Sequence, residues 1–472
     1  MILPVVIAGG VGSRLWPMSR NTLPKQFIRF PQFEESLFQK TVKRVEGIPN
    51  VSPPVVICGR AHHSLVVEQL TSKEQPEGII LLEPAGRGTA PASAMAALLA
   101  KEKDPDTLLL ILPADQVIQD VTSFRQAIEA AIPVASQGYL VTFGVRPESP
   151  STGYGYIKKG ESITGSSGFE VLNFIEKPEN SVAESYVRDG NFFWNSGIFL
   201  LSAQSYLEEL ENYAPDILNA CTRSFENLGR RGNLLEIPEL YFSKCRNDSI
   251  DYAVMERTSR AAMISLDADW SDLGTWDTFM SLDSGDEDGN SKTGDVHVEN
   301  VRNSYIQAND RLVAALGVQD LVIVETSDAV LISDKDSVQD VKKIVETLES
   351  EGREEATTSL KVEKPWGFYK SLSRGDGHQV KKLVVRPGEP LSLQLHKHRA
   401  EHWVVTTGKG TVICGEKEMI LSKNEHIHIP AGVKHRLANP FSENLEIIEV
   451  QVGDYLGEDD IVRLEDKYGR QG

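Results

Sequence analysis

The sequence contains little cysteine, no long hydrophobic run and no excess of basic residues. Its cysteines are scattered and form no C-x-x-C pair, which argues against a disulfide framework or a zinc finger. No apolar run reaches the roughly 18–20 residues that a membrane-spanning helix requires, and the N-terminal MILPVVIAGG lacks the basic region of a signal peptide. The formal net charge of −19 leaves no basic footprint for nucleic acid. These absences predict a cytoplasmic protein with reduced thiols, no membrane contact and no nucleic-acid partner.

The length and the hydrophobic pattern predict several domains. With 472 residues and 40% hydrophobic side chains, the chain can bury two or three separate cores. Residues 1–285 alternate apolar runs such as TLLLILPAD with longer amphipathic stretches, which is typical of a mostly parallel α/β sheet with helices on both faces. In such sheets, ligands bind beyond the carboxyl ends of the strands.

The remaining residues predict β structure of two kinds. Short β-like stretches and the helical run SVQDVKKIVETLES indicate a small β-solenoid or sheet layer with a closing helix over residues 286–350. The charged residues 351–360 are typical of a linker, and residues 361–472 are β-rich with turn signals such as RPGEP and PAG. The last segment therefore predicts a compact β-barrel or sandwich.

The first apolar run ends in a glycine-rich loop that suits phosphate binding. Its glycines, which let backbone amides approach phosphate oxygens, are Gly9, Gly10 and Gly12. Arg14 and Lys25 follow and supply positive charge. The loop is not a Walker A motif because GK[ST] is absent, and Leu15 stands where a dinucleotide fingerprint has its third glycine.

Taken whole, GGVGSRLWPMSRNTLPKQF resembles the signature of nucleotidyltransferases that make nucleoside-diphosphate sugars. The variants Trp16 and PKQF are similar to the mannose-1-phosphate guanylyltransferase branch. Further segments match that family in the same order: EPAGRGTAPA (83–92), LPADQ (112–116), STGYGYI (151–157), FIEKP (174–178), FWNSGIFL (193–200), SIDYAVME (249–256) and DWSDLGTW (269–276).

This resemblance implies a Rossmann-like, GT-A-type domain over residues 1–285 that transfers GMP from GTP to mannose 1-phosphate. It implies that Arg14 and Lys25 are catalytic and that Asp115 and Asp272, at strand ends, bind Mg²⁺, which prefers oxygen ligands. The implied nucleotide-binding residues are Gly9, Gly10, Gly12, Glu83, Arg87 and Thr89, and the implied sugar-binding residues are Gly153, Glu176, Lys177 and Asn195.

The second candidate site is a cluster of histidines. Six of the ten histidines lie between His396 and His435. The spacing that begins at Gly388 matches the first cupin motif, G-x5-H-x-H-x4-E-x6-G, with glutamine in place of its first histidine. PAGVKHRLAN matches the second cupin motif, although Asn424 stands where that motif has a glycine.

The cupin spacing predicts a metal site made of Gln394, His396, Glu401 and His435. Alternate strand residues share one face, so Gln394, His396 and His398 are expected to point the same way. Nitrogen and oxygen ligands suit Zn²⁺ or another divalent ion. His398 and His402 remain alternatives as ligands or acid–base groups, and His426 and His428 are interpreted as structural.

The segment from about residue 355 to residue 472 resembles type II phosphomannose isomerases. The whole chain is thus similar to the bifunctional mannose-1-phosphate guanylyltransferase/mannose-6-phosphate isomerase family. The resemblance implies that the protein forms a homodimer and acts in polysaccharide biosynthesis. It also implies that the protein interconverts fructose 6-phosphate and mannose 6-phosphate. It makes Arg399 a catalytic candidate, and Arg399, Arg463 and Arg470 candidates for holding the sugar phosphate. The general base of the isomerase stays open.

Two other functions remain compatible with the sequence. The cupin segment could be a metal-stabilised binding or oligomerisation module beside a monofunctional guanylyltransferase. The transferase could also use another nucleotide or hexose 1-phosphate, because the choice of base and sugar depends on the resemblance.

Overall fold

The computed structural model describes residues 1–70, 78–280, 282 and 285–467. The chain divides into two compact units, Met1–Gly352 and Arg353–Gly472. In the described ranges, no helix combines the length and the apolar character that a membrane crossing requires.

The first unit is built on an α/β sheet. Its strands are β1 (Ile2–Ile7), β2 (Val55–Gly59), β3 (Ile79–Glu83), β4 (Leu108–Pro113), β5 (Val117–Ile118), β6 (Leu140–Val145), β7 (Tyr156–Ser162), β8 (Phe169–Ile175), β9 (Phe192–Ser202), β10 (Gly229–Arg231), β11 (Leu234–Glu236), β12 (Ala261–Ser265) and β13 (Trp270–Ser271). Its helices are α1 (Leu37–Arg44), α2 (His63–Leu70), α3 (Thr89–Lys101), α4 (Val121–Ala135), α5 (Asn180–Asp189), α6 (Ala203–Tyr213), α7 (Pro215–Glu226), α8 (Glu239–Phe242) and α9 (Trp276–Met280).

Eleven of these strands form one sheet in the order β10-β11-β3-β2-β1-β4-β9-β6-β12-β8-β7. Neighbours are parallel from β11 to β4 and between β6 and β12, and the other pairs are antiparallel. The prediction of a mostly parallel sheet is therefore correct for one half, because β9 inserts antiparallel between β4 and β6. The carboxyl ends of β1, β3 and β4 meet at one edge, where the glycine-rich loop, Glu83 and Asp115 lie.

Helices cover both faces of the parallel half, as predicted. Val5 of β1 packs in one hydrophobic cluster with the alanine-rich α3. The next residue, Val6, packs in another cluster with Phe38 of α1 and Phe124 of α4. Because successive strand residues point to opposite faces, a nearly continuous apolar strand such as ILPVVI is the sequence that a doubly covered sheet needs.

The same unit continues into a small β-solenoid. It consists of β14 (Ser291–Thr293), β15 (Val296–Glu299), β16 (Tyr305–Ala308), β17 (Val313–Leu316), β18 (Leu321–Glu325), β19 (Val330–Asp334) and the closing helix α10 (Val341–Ser350). Strands β14, β16 and β18 pair in parallel, as do β15 and β17, and β19 pairs antiparallel to β18. The predicted solenoid with its closing helix is thus present.

The solenoid shares a hydrophobic core with the glycine-rich loop. Trp16 and Trp276 of the α/β part cluster with Tyr305 and Val324 of the solenoid and with Val345 of α10. The domain boundary that the sequence predicts at residue 285 stays a prediction, because these residues belong to one compact unit.

The second unit is a β-barrel made of two sheets. Its elements are α11 (Glu354–Thr357), β20 (Lys361–Lys364), β21 (Gly367–Gly375), β22 (His378–Val385), β23 (Glu389–Pro390), β24 (Leu393–His396), β25 (Arg399–Thr407), β26 (Lys409–Cys414), β27 (Lys417–Ser422), β28 (His426–Ile429), β29 (His435–Asn439), β30 (Leu445–Gly453) and β31 (Ile461–Glu465). One sheet has the order β20-β21-β22-β30-β25-β28, and the other contains β27-β26-β29-β24-β31 with β23 paired to β29. Trp403 and Ile447 of the first sheet share a core with Val412 and Leu437 of the second. The predicted linker, residues 351–360, includes α11, whose Ala356 is buried.

Candidate active sites

The glycine-rich loop of the first unit is shaped by one glycine that no other residue replaces easily. Gly12 has a φ of +73°, and a Cβ built there would lie 2.6 Å from Cβ of Lys25. A substitution would therefore be strained by both backbone and contact. Gln26 Nε2 donates to the carbonyl oxygens of Ala8, at 3.1 Å, and Gly10, at 2.8 Å. The side chain of Gln26 thus holds the start of the loop.

The ammonium group of Lys25 brings together three segments that are far apart in sequence. Lys25 is 4% exposed, and its Nζ lies 2.9 Å from Oδ2 of Asp115. The same Nζ donates to the carbonyl oxygen of Asp272 at 2.7 Å. The predicted lysine therefore contacts the carboxylate of one predicted Mg²⁺ ligand and the backbone of the other.

Asp272 has further partners that fix its carboxylate. Its Oδ1 accepts from the hydroxyl of Tyr154 at 2.8 Å and from the amide of Gly274 at 3.1 Å. Burial, followed by the charge of Asp272, raises the pKa of Tyr154 far above its usual value, so this hydroxyl remains a donor. Tyr154 is in turn packed edge-on between Trp194 and Trp270. The carboxylate oxygens of Asp115 and Asp272 are donors of the kind that Mg²⁺ prefers.

A cavity of about 250 Å³ opens beside these groups. Its wall includes Gly9 and Gly10 of the loop, Thr89 at the start of α3, Asp115, and Asp251. Arg14 is exposed at the end of the same loop. The predicted phosphate-binding loop, one predicted metal ligand and one predicted nucleotide-binding residue thus line a common space.

The predicted nucleotide-binding residues fall into two groups. Glu83 ends β3 and is 4% exposed, and a Cβ at Gly9 would lie 3.8 Å from its Oε2. Its Oε1 is buried with no hydrogen-bond partner among the described residues, and burial raises the pKa of Glu83 to about 7. Arg87, by contrast, donates from Nη2 to the carbonyl oxygen of Ser243 at 2.5 Å, and Thr89 Oγ1 accepts from the amide of Ile250 at 2.9 Å. Glu83 is therefore the group with a free acceptor, whereas Arg87 and Thr89 also hold the neighbouring segment.

Three of the four predicted sugar-binding residues lie near a carboxyl that was not predicted. Asn195 Nδ2 donates to Oδ1 of Asp251 at 2.8 Å, and burial raises the pKa of Asp251 to about 6, with the charge of Glu176 as the next cause. Glu176 pairs with Lys177 at 2.7 Å, and its Oε2 is buried with no partner among the described residues. Gly153 lies exposed on the loop before β7. Asp251 lies within the quoted segment SIDYAVME, so its signal was present but not assigned to a residue.

In the second unit, three of the four predicted ligands form a buried cluster. Ligand atoms of His396, Glu401 and His435 all lie within 4.8 Å of one another. Nε2 of His396 is 3.0 Å from Oε1 of Glu401, and Nε2 of His435 is 3.6 Å from its Oε2. His435 Nδ1 is 2.9 Å from the carbonyl oxygen of Val433, which leaves Nε2 to face the carboxylate. Buried imidazole nitrogens without good hydrogen bonds, aimed at one carboxylate, fit a divalent metal ion.

The fourth predicted ligand, Gln394, lies at the edge of this cluster. Its backbone pairs with that of His435, and its Oε1 accepts from Ser392 Oγ at 2.8 Å. Gln394 and Glu401 both line a cavity of about 60 Å³ inside the barrel.

Charged groups on the cavity wall include residues that were not predicted. Arg399 is 2% exposed and donates to the carbonyl oxygens of Leu456, at 3.3 Å, and Gly457, at 3.0 Å. Lys381, also buried, pairs with Glu458 at 2.8 Å. Arg399 was predicted, and it lines the cavity while its guanidinium is partly engaged by backbone.

Two carboxyl groups in this cavity have opposite pKa shifts. Burial alone would raise the pKa of Glu401, but His396, His435 and Arg399 outweigh it, so the pKa lies well below its usual value. Burial, followed by the charge of Glu401, raises the pKa of Glu449 well above its usual value. Side chains of Trp403 and Gln451 donate to both carboxyls. In LEIIEVQV, alternate residues are buried, and Glu449 and Gln451 are polar residues at two of these positions. Polar residues at buried positions were the signal in the sequence that could have indicated a site here.

The alternative histidines lie away from the cluster. Strand β24 ends at His396, so the predicted alternation does not reach His398, which is exposed and packs edge-on against Tyr455. His402 is exposed and stacks on His428 with ring centroids 4.5 Å apart. Arg463 lines the cavity, and Arg470 lies outside the described residues.

Comparisons with known proteins show which families this chain is similar to. The nucleotidyl transferase family model matches residues 3–289, the MannoseP isomerase/GMP-like β-helix domain matches residues 295–348, and the mannose-6-phosphate isomerase C-terminal model matches residues 351–466. The mannose-1-phosphate guanylyltransferase of Escherichia coli K12 is 48% identical to this chain over 99% of both chains. The chain belongs to the mannose-1-phosphate guanylyltransferase family.

Two further proteins are similar to large parts of the chain. The alginate biosynthesis protein AlgA of Pseudomonas aeruginosa is 45% identical, over 99% of this chain and 97% of its own length. A crystal structure of mannose-6-phosphate isomerase from Helicobacter pylori is 32% identical and covers 57% of this chain and 99% of its own, with a TM-score of 0.50. The similarity to AlgA thus extends over nearly the whole chain.

The geometry of the second site predicts which histidines hold a metal ion. His396→Ala and His435→Ala should lose bound metal, because each removes one of three converging ligands. His398→Ala should keep the metal, because that side chain is exposed away from the cluster. The measurement is the metal content of each purified variant after loading with Zn²⁺ and removal of the excess. Full metal retention in His396→Ala would contradict the assignment.

Proposed function

We propose that the first unit transfers GMP from GTP to mannose 1-phosphate, giving GDP-mannose and pyrophosphate. The observation that carries this proposal is that the Lys25 ammonium contacts both the carboxylate of Asp115, which lines the cavity, and the backbone carbonyl of Asp272. A phosphate oxygen of mannose 1-phosphate attacks the α-phosphorus of GTP, and the bond to the bridging oxygen of pyrophosphate breaks. The protein supplies position and charge rather than covalent chemistry.

Each residue has a role that follows from its contacts. The amides of Gly9 and Gly10 donate to the phosphate oxygens. The ammonium group of Lys25 neutralises the negative charge of the phosphates. Arg14, exposed at the end of the loop, is free to approach a bound phosphate. Asp115 and Asp272 would hold a Mg²⁺ ion, which neutralises phosphate charge and orients the leaving group when bound.

The sugar pocket has acceptors suited to hydroxyl groups. Glu176 offers a buried oxygen with no partner in the described residues, and Asp251 is held ready by Asn195. Carboxylates in such positions accept from sugar hydroxyls. Asn195 thus acts on the sugar in part through Asp251, which refines the role that the sequence predicts for it.

The first test measures GDP-mannose formation from GTP and mannose 1-phosphate. Asp115→Asn and Asp272→Asn should each lower kcat by about 100-fold or more, the scale reached when one preorganised electrostatic group is lost. Asp120→Asn is the matched control, because Asp120 is an exposed carboxylate that caps α4. Activity near that of the wild type in either test variant would remove that residue from the site.

Glu83 is proposed to recognise guanine. The guanine edge presents N1–H and the 2-amino group as donors, and a carboxylate accepts both, whereas adenine offers an acceptor at N1. Because the pKa of Glu83 is raised to about 7, its ionised fraction rises as the pH increases through 7. Binding of GTP is therefore expected to strengthen between pH 6 and pH 8.

Glu83→Gln tests this role. The variant should weaken GTP binding by about 10- to 100-fold, the equivalent of losing a hydrogen bond to a charged group, and it should lose the pH dependence. Calorimetric titration with GTP and ATP at pH 6, 7 and 8 measures both effects. Glu209→Gln, at a buried carboxylate of α6 outside the cavity wall, is the control. A GTP/ATP preference unchanged in Glu83→Gln would exclude the role.

We further propose that the second unit interconverts fructose 6-phosphate and mannose 6-phosphate. The supporting observation is the buried cluster of His396, Glu401 and His435 beside a cavity with cationic groups. A divalent ion, Zn²⁺ or a similar metal, would polarise the carbonyl and hydroxyl of the open-chain sugar. Lys381, Arg399 and Arg463 offer positive charge for the sugar phosphate. Glu449, with its raised pKa, is the candidate for moving the proton between C1 and C2.

The isomerase proposal predicts a dependence on metal and on Glu449. A chelator should stop conversion of fructose 6-phosphate, and added Zn²⁺ or a similar ion should restore it. Glu449→Gln should keep its metal but lose about 100-fold or more of the rate, as expected when a general acid–base group is removed. Metal-free protein that isomerises at the full rate would contradict the mechanism. GDP-mannose synthesis by the same samples serves as the control for folding. A protein that binds metal but never isomerises would instead be a transferase with a non-catalytic cupin module.

Homodimer formation and a place in polysaccharide synthesis also remain proposals. They are supported by family membership and by the full-length similarity to AlgA.

A further inference from the structure

An ion pair between a buried arginine and a half-buried aspartate joins the glycine-rich loop to the solenoid. Arg20 is 1% exposed, and its Nη2 lies 3.3 Å from Oδ1 and 3.4 Å from Oδ2 of Asp328. The two residues are 308 positions apart in the chain. Thr326 Oγ1 donates to Oδ1 of Asp328 at 2.8 Å, so the carboxylate is itself held in one orientation.

Arg20 also holds the loop on its own side. Its guanidinium carbon is 5.2 Å from the centre of the Trp16 ring, and its Nη1 donates to the carbonyl oxygen of Pro17. The preceding residue, Ser19, donates from Oγ to the carbonyl oxygen of Gly12 at 2.6 Å. Gly12 in turn packs directly against the side chain of Lys25. A short path therefore runs from Asp328 to the ammonium group at the proposed reaction centre.

The solenoid contacts the segment after Asp272 as well. Trp276, four residues after Asp272, donates from Nε1 to the carbonyl oxygen of Trp16 at 3.1 Å. Gln339, which precedes α10, donates to Thr275 Oγ1 at 3.3 Å. The glycine-rich loop and the segment that follows Asp272 are thus both connected to the solenoid.

We infer that the Arg20–Asp328 pair positions the loop so that Lys25 meets the transferring phosphate. The inference rests on the proposed transferase function. A buried ion pair contributes little net stability, because desolvation of the charges offsets their attraction. It does fix distance and direction, and a displacement of about 1 Å at reacting groups can cost 100-fold in rate. Arg20 and Asp328 are therefore positioning residues that act through Lys25.

Conservative variants of the full-length protein test this inference. Asp328→Asn keeps the shape but removes the charge, and Arg20→Lys keeps the charge but removes the guanidinium fork. In assays well below the melting temperature of the variant, each substitution should lower kcat by about 10- to 100-fold. The KM for mannose 1-phosphate should stay unchanged. The double variant should lose little more than either single variant, because both changes break one contact.

A control variant separates positioning from stability. Asn290 is buried in the solenoid and bonds to the backbone of Val301 and Ser304. Asn290→Ala should lower the melting temperature but leave kcat unchanged. Asp328→Asn with kinetics like those of the wild type, or like those of this control, would overturn the inference.

A second measurement does not depend on catalysis. Hydrogen exchange should become faster in Asp328→Asn, but not in Asn290→Ala, at the amides of Leu15, Trp16 and Lys25, which bond within the loop. Unchanged exchange at these amides would overturn the inference even if the wild type made no GDP-mannose. A wild type without synthesis but with faster exchange in Asp328→Asn would refute the proposed function alone.

Discussion

The first unit is organised around one buried positive charge, the ammonium group of Lys25. A buried ammonium needs partners, because an unpaired charge in the interior is very costly. Its partners come from Asp115 and Asp272, which lie 90 and 247 residues further along the chain. The sheet makes this possible, because β1 and β4 are parallel neighbours whose carboxyl ends coincide. The short strand pair β13 and β5 then brings Asp272 to the same edge. Topology, rather than local sequence, thus builds the charge pattern that a phosphate requires.

The second unit contains a buried negative charge, the carboxylate of Glu401. Glu401 is 1% exposed and is surrounded by two imidazoles and the Arg399 guanidinium. These neighbours keep it ionised, while Glu449 in the same cavity has a raised pKa. Glu449 therefore holds a proton at a pH at which Glu401 stays ionised. The barrel produces this difference by placing His396, His435 and Arg399 beside Glu401, while burial and the charge of Glu401 raise the pKa of Glu449.

The sequence allowed the fold class to be predicted because its signals are periodic. Continuous apolar strands, glycine-rich turns and the cupin spacing each reflect a local constraint that a reader can count. The clusters at Lys25 and at His396 were likewise accessible, since motif residues at strand ends meet when strands are parallel or share a barrel. Asp251, Glu449 and the Arg20–Asp328 pair were not accessible in this way. Each depends on which side chain a distant element presents, and spacing carries no such information. His398 shows the converse error, because alternation was extended two residues past the end of β24.

The contact between the solenoid and the loop combines two kinds of interaction, one that stabilises it and one that restricts its geometry. One is an apolar cluster, which stabilises the contact because burial of apolar area is favourable and non-directional. It contains Trp16, Trp276, Tyr305 and Val324. Such a cluster tolerates small rotations and slips, since many arrangements bury similar area. A guanidinium between a carboxylate, an indole face and a carbonyl permits far fewer arrangements, because each partner constrains a different direction. An all-apolar contact of the same volume could have been equally stable. The charged one restricts the geometry of the loop, and geometry is what a reaction governed by phosphate positioning requires.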